Sequence, residues 1–292
     1  MNFFLNFPFF SIALGMVTGV ICSVIKPKYA KRLCLAFITV AMAMSLCVLV
    51  YCFQTDQSYV YMMGHFPAPW GNEIRFGILE SGMALFFCII MFLSVVGGMK
   101  HIFEDMEEQK GNLYFTMCNL LLSSLLALVY TNDLFTAYVF VEINTIAAAG
   151  LIMIKNNGRT MVAATKYMIM SLLGSGLFLI GITLLYDLTG HLLMSNIKEE
   201  VARISAAGNY TVPLTVIIVF MSVGLAMKSA LYPFHSWLPD AYGFSTATSS
   251  ALLSSLASKG YIFLLIKIFY RVIGMDIIEA NKITNILFVF GI

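Results

Sequence analysis

Glu142, Lys166, Lys228 and Lys259 stand inside stretches of sequence that are otherwise apolar enough to be buried in lipid. A charge near the centre of a bilayer costs about 2.5 to 3.5 kcal/mol on insertion scales, so each of these residues needs a counter-charge, water or a task. A lysine held opposite a carboxylate in a low-dielectric interior forms a pair whose charge state responds to small displacements. That is the property an ion-transfer step requires. His235, an imidazole with an ordinary titration range near about pH 6.5, is a further group able to take and release a proton.

Each residue also has a plainer reading. Glu142 lies about nine residues into the apolar run that starts at Leu134, near mid-membrane at about 1.5 Å per residue. There it is either half of a structural ion pair, a neutral packed acid, or a proton-handling group. Lys228 comes shortly before Pro233, which cannot donate its backbone nitrogen to a continuing helix. A lysine at such a break is solvated by the freed carbonyls or snorkels to the interface. Lys259 is about ten residues into its own apolar run, too deep to snorkel easily. Its neighbours Ala257, Ser258 and Gly260 leave room for water or serve helix packing. Lys166, only about five residues from the start of its run, is equally well read as a snorkelling side chain. His235 beside the break can simply cap carbonyls.

The elements that must position these groups are transmembrane helices. The 292 residues are 60% hydrophobic and 11% charged, with a mean hydropathy of +0.88, which leaves too little polar surface to coat a soluble globule. A span needs about 20 apolar residues. Eight runs meet that length, approximately Phe9 to Ile25, Leu33 to Phe53, Phe76 to Val96, Leu113 to Tyr130, Leu134 to Ile154, Met161 to Tyr186, Val212 to Leu231 and Ser249 to Tyr270. The expected fold is an all-α polytopic bundle, broken near Pro233. A ninth run begins near Ile283 and is cut at Ile292, which favours a truncated chain. The expected division is a three-helix region over 1–110, a core over 111–271, and the start of a further region over 272–292.

Loop charge gives the orientation. The short basic connection from Lys26 to Arg32 belongs in the cytoplasm, which puts the amino terminus outside. No basic stretch precedes the first apolar run, so a cleaved signal peptide is not expected. Met194 to Ala207 has the period of an amphipathic surface helix on the outer side. The net charge of +2, spread over loops, argues against a nucleic-acid partner. All six cysteines lack metal-ligand spacing and read as small core hydrophobes.

The segment from Lys228 to Tyr270 resembles the core of the proton-conducting antiporter-like membrane subunits. That superfamily includes Mrp-type sodium/proton antiporter subunits, the corresponding subunits of respiratory complex I, and relatives in membrane-bound hydrogenases. The resemblance rests on Lys228, then Pro233, His235, Trp237, Leu238, Pro239, Asp240 and Ala241, then Lys259 in the following helix. Leu134 to Glu142 is similar to the family's fifth-helix segment, and Thr165 to Tyr186 to its sixth, with Lys166 at its start. Gly64 to Gly71 resembles the outer loop of the D-type Mrp subunits and of hydrogenase-linked relatives.

The resemblance implies a subunit that moves protons, with sodium as a candidate counter-ion, through a relay from Glu142 and Lys228 by water and His235 to Lys259, with Lys166 modulatory. It implies other membrane subunits and the bilayer as partners and no cofactor of its own; any redox step would belong to those partners. Family members carry about fourteen helices in two inverted repeats, of which this chain holds the first part. One departure stands out. Where the family continues Asp-Ala with His and a proline-containing run, this chain has Tyr242 to Thr248, which removes a relay group. Two other readings stay open: a structural membrane anchor for a redox complex with inert ion pairs, and an independent secondary transporter for an organic solute.

Overall fold

Pro8 and Pro27 both fall in the first turn of a helix, where a missing backbone N–H breaks no hydrogen bond and the fixed φ favours helix entry. Caps start the later helices. Asp133 accepts the Thr136 N–H at 2.6 Å, Asn157 that of Thr160 at 2.9 Å, and Thr246 that of Ser249 at 3.1 Å. Gly190, at φ 71°, ends the sixth long helix in the left-handed conformation that glycine adopts without a Cβ clash.

The computed structural model describes residues 3–66, 71–99, 102–208, 211–280 and 285. Among them eight helices are long and apolar enough to span a membrane: Phe4–Val24, Pro27–Thr55, Ile78–Gly98, Glu108–Tyr130, Leu134–Met153, Gly158–Thr189, Thr211–Ser229 and Ala247–Ile273. The chain is an integral membrane protein built as a polytopic helical bundle, as its composition requires. The expected ninth run from Ile283 and the Pro67 to Trp70 part of the outer loop lie outside the described residues.

The fourth span is the centre of the bundle, with every residue from Leu121 to Tyr130 buried. The first span lies against it, and Ser123 Oγ donates to the Ile12 carbonyl at 2.8 Å. The sixth and seventh spans meet at Gly174 and Gly224. A Cβ on either would meet the other's carbonyl oxygen at 2.7 or 2.6 Å, so their backbones are in contact.

The surface helix forms over Met194–Ala206 and buries Met194, Ile197 and Val201 on one face. One element was not expected from the sequence. Tyr59–Met62 and Glu73–Phe76 pair as antiparallel strands, Tyr59 opposite Phe76 and Met62 opposite Glu73, over the ends of the spans. Five cysteines are buried as expected, but Cys47 is exposed on the second span.

Candidate functional site

The seventh span stops at Ser229, and Ala230 takes φ 58°. The chain then turns through a cis Tyr232–Pro233 bond, a short 3-10 turn over His235–Trp237 and the helix Leu238–Phe244 before the eighth span begins. Trp237 pins this break in place. Its indole N–H donates to the Met227 carbonyl at 3.2 Å, one of those that the end of the helix leaves free, and its ring meets Tyr167 edge-on at 4.9 Å. The eighth span carries an extra-residue π turn at Leu253–Ala257 and a second at Phe269–Ile273.

Lys228 is enclosed by this construction. None of its side chain is exposed, which excludes snorkelling. Its Nζ donates to Thr145 Oγ1 at 2.7 Å, stands 3.4 Å from Glu142 Oε1, and faces the Tyr261 ring at 5.7 Å from the centroid. Glu142 is 24% exposed and also takes a short hydrogen bond from Ser175 Oγ. The close approach of Gly174 and Gly224 places Ser175 and Lys228 on either side of the carboxylate.

Hydrogen bonds continue from this pair into the bundle. Thr145 Oγ1 lies 3.5 Å from the Tyr261 hydroxyl, which donates to Asn144 Oδ1 at 2.9 Å, and Asn144 Nδ2 donates to Ser124 Oγ at 3.0 Å. Five spans, the fourth to the eighth, thus contribute to one buried polar network. On the other side of Lys228 is a cavity of about 10 Å³, lined by Tyr167, Trp237, Tyr242, Ser258 and Tyr261 among others. That is room for about one water. Tyr242 and Ser258 share a hydrogen bond there at 3.0 Å.

The remaining sequence candidates lie elsewhere. Lys259, expected to be buried without an escape, is exposed on the outside of the eighth span, where its Nζ donates to the Ser254 carbonyl at 2.6 Å. The π turn explains this: an added residue rotates the helix beyond it, so Ser258 faces the cavity and Lys259 faces away. His235, expected between Lys228 and Lys259, is exposed and stacks on Tyr232 at 5.8 Å. Lys166 pairs with Asp240 at 2.5 Å, joining the sixth span to the short helix of the break.

Sequence reasoning missed a second set of charges. Lys267 is buried and donates to the carbonyls of Val129, at 2.8 Å, and Thr131, closing the end of the fourth span. Glu80 is buried and ion-paired with Arg271. The signal was present, because all three fall inside or at the edge of apolar runs. Tyr261, Asn144 and Thr145 carried no such signal, being ordinary residues of apolar helices.

Comparison with known proteins agrees with this architecture. The family model described as NADH:quinone oxidoreductase/Mrp antiporter, TM, matches residues 131–292. NADH-quinone oxidoreductase subunit N of Desulforudis audaxviator is 30% identical over 213 residues, covering 73% of this chain and 41% of that protein. The D-type subunit of the Na(+)/H(+) antiporter of Bacillus subtilis is 28% identical over 207 residues, covering 71% and 41%. The chain therefore spans about two fifths of the length of these relatives. In shape it is similar to a chain of an archaeal membrane-bound sulfane sulfur reductase (TM-score 0.83, 22% identity, 97% of this chain and 56% of that one). It is also similar to a chain of the Mrp complex from Dietzia (TM-score 0.81, 20% identity, 94% and 50%). On the matched segment, which holds Glu142, Lys228 and the broken connection between the seventh and eighth spans, the chain belongs to the NADH:quinone oxidoreductase/Mrp antiporter transmembrane family.

Proposed function

We propose that this chain is a proton-translocating membrane subunit that works beside other membrane subunits in a multisubunit antiporter or redox-driven pump. The observation that supports it best is the Glu142–Lys228 pair, its lysine fully buried and joined to a hydrogen-bonded network that crosses five spans. A structural anchor has no need of a fully buried lysine beside a partly exposed acid, since apolar side chains of similar volume do that task at lower cost. Among the relatives, one is named for sodium/proton exchange and another for quinone reduction. Sodium exchange is the narrower form of the proposal. The proposed core is 111–271, with 1–110 a supporting region.

In this reading Glu142 receives protons from the side on which it is exposed. Its charge sets how strongly Lys228 is held. A proton on the carboxylate cancels the attraction, and Lys228 is then free to turn from Thr145 towards the cavity at Tyr242 and Ser258. The step onward leaves Lys228 through Tyr242 and Ser258 rather than through His235, with Lys166 and Asp240 steadying the short helix that carries Tyr242, and Lys259, turned outward, lies beyond that cavity. A tyrosine hydroxyl takes up the place at which the family's histidine is absent.

The test is proton flux in vesicles reconstituted with the full-length protein and its partner subunits. Glu142→Gln is expected to abolish flux, Tyr242→Phe to slow it by about tenfold, the scale of one general acid–base contact or less, and His235→Ala to leave it unchanged. Normal flux in Glu142→Gln would overturn the assignment. If instead His235→Ala is slow and Tyr242→Phe is not, the route runs through the imidazole. With the basic segment from Lys26 to Arg32 on the cytoplasmic side, the proposal has the amino terminus outside. A Tyr29→Cys variant should then react with an impermeant maleimide only after the cytoplasmic side is opened, and labelling of intact cells would reverse the orientation.

A further inference from the structure

A second charged cluster sits where the third span begins and the eighth ends. A cavity of about 170 Å³ opens there between the two, lined by Leu79, Glu80, Phe263, Ile266, Lys267, Tyr270 and Arg271. Arg271 pairs with the one carboxylate of Glu80, and Lys267 lies beside them with its amine on the Val129 and Thr131 carbonyls. Arg75, on the adjacent strand, acts electrostatically on both cations, while Glu73 on that strand is engaged by the Asn132 amide at 3.1 Å. The ion pair with Glu80 occupies Nη2 of Arg271, and its Nη1 is buried without a hydrogen-bond partner. A buried guanidinium donor left unmatched is costly unless an acceptor reaches it.

The position along the membrane normal says which acceptor. Glu80 is in the first turn of its span, and Arg271 in the last turn of its own, so the charges lie at the level of lipid headgroups. Ile266 and Phe263 lie one and two turns deeper along the eighth span, facing the hydrocarbon side of the same cavity. Leu79, Ile266 and Tyr270 are exposed along its rim. A tyrosine at this depth is the usual marker of the interface.

We propose that this cavity binds the phosphate of an anionic phospholipid, with Arg271 taking the headgroup, Lys267 staying on its carbonyls at the cavity wall, and Phe263 and Ile266 taking the start of an acyl chain. The excess of positive charge selects an anionic over a zwitterionic headgroup. Glu80 acts against binding while holding Arg271 in place. The assignment does not depend on the proposed transport function.

The experiment is native mass spectrometry of the purified full-length protein, titrated with phosphatidylglycerol or with phosphatidylcholine of the same chains. Wild type is expected to retain phosphatidylglycerol about tenfold more tightly. Arg271→Gln should lose that preference and Glu80→Gln should increase it, because removing the carboxylate adds net positive charge. Arg75→Gln, which leaves the Glu80–Arg271 pair intact, should lower it in part and serves as the variant least able to disturb folding. Equal retention of both lipids by wild type would overturn the proposal, as would a loss of preference in both Glu80→Gln and Arg271→Gln. Displacement of phosphatidylglycerol by millimolar inorganic phosphate would show a free-phosphate site instead and would also overturn it.

Discussion

Lys228→Met, in the reconstituted assembly, is expected to reduce proton flux to background while the protein still folds and assembles. The two halves of that expectation have separate causes. Flux is lost because methionine keeps the volume of the buried side chain but has no proton to exchange with Thr145, Glu142 or the cavity at Tyr242. Folding survives because the group left behind is Glu142, which is partly exposed and retains its hydrogen bond from Ser175.

The opposite deletion is harder on the fold. Glu142→Gln leaves a fully enclosed lysine without its counter-charge, a change that costs about 3 to 5 kcal/mol in fully buried pairs and sits at the low end here because Glu142 is in part solvated. Thermal unfolding of the purified proteins should therefore rank wild type, Lys228→Met and Glu142→Gln in falling order. The reverse order would mean that the pair is held mainly by the carboxylate's other contacts, and intact flux in Lys228→Met would remove the lysine from the pathway.

Gly224→Ala is expected to damage stability and transport together. The added methyl carbon would stand 2.6 Å from the Gly174 carbonyl oxygen and 2.8 Å from the Phe178 nitrogen, both backbone atoms that cannot swing aside. The sixth and seventh spans must separate by several tenths of an ångström or more. Overpacking of this kind costs about 1 to 3 kcal/mol. The displacement acts where it matters most, because Ser175 follows Gly174 and Lys228 lies one turn from Gly224, so the two groups that hold the Glu142 carboxylate from the sixth and seventh spans are drawn apart. Gly82→Ala is the control, since a Cβ there has nothing within 4 Å. Thermal unfolding and flux of the two variants side by side check this, and a Gly224→Ala protein with normal stability and flux would show that the contact can relax.

How much of this was legible in the sequence differs between the elements. The eight spans were, because twenty apolar residues in a row have few other stable solutions than a helix across a bilayer. The break after Ser229 was legible from Pro233, and the surface helix from the period of Met194, Ile197 and Val201. The Glu142 and Lys228 candidates were legible through cost, since ionised groups stand out against apolar neighbours.

The two strands over Tyr59–Met62 and Glu73–Phe76 were not legible, as each has only four residues and depends on a partner distant in sequence. Nor was the direction of Lys259. The sequence shows how deep a residue lies along its helix, whereas the face it takes depends on every turn before it. A π turn at Leu253–Ala257 shifts that face without leaving a mark in the residue types.

The sequence by itself therefore determined the membrane bundle, its break and the candidates for a buried pair, because each follows from the price of placing a polar or apolar group in lipid. Only the tertiary structure decided which charges meet. Glu142 of the fifth span is met by Ser175 and Lys228 together because Gly174 and Gly224 let the backbones of the sixth and seventh spans touch; Lys259 and His235 do not join them because local helix geometry turns them outward; and Lys267, Arg271 and Glu80 form a second site because spans far apart in sequence end side by side. Such contacts depend on distances of a few ångströms between helices, a scale that sequence spacing does not encode.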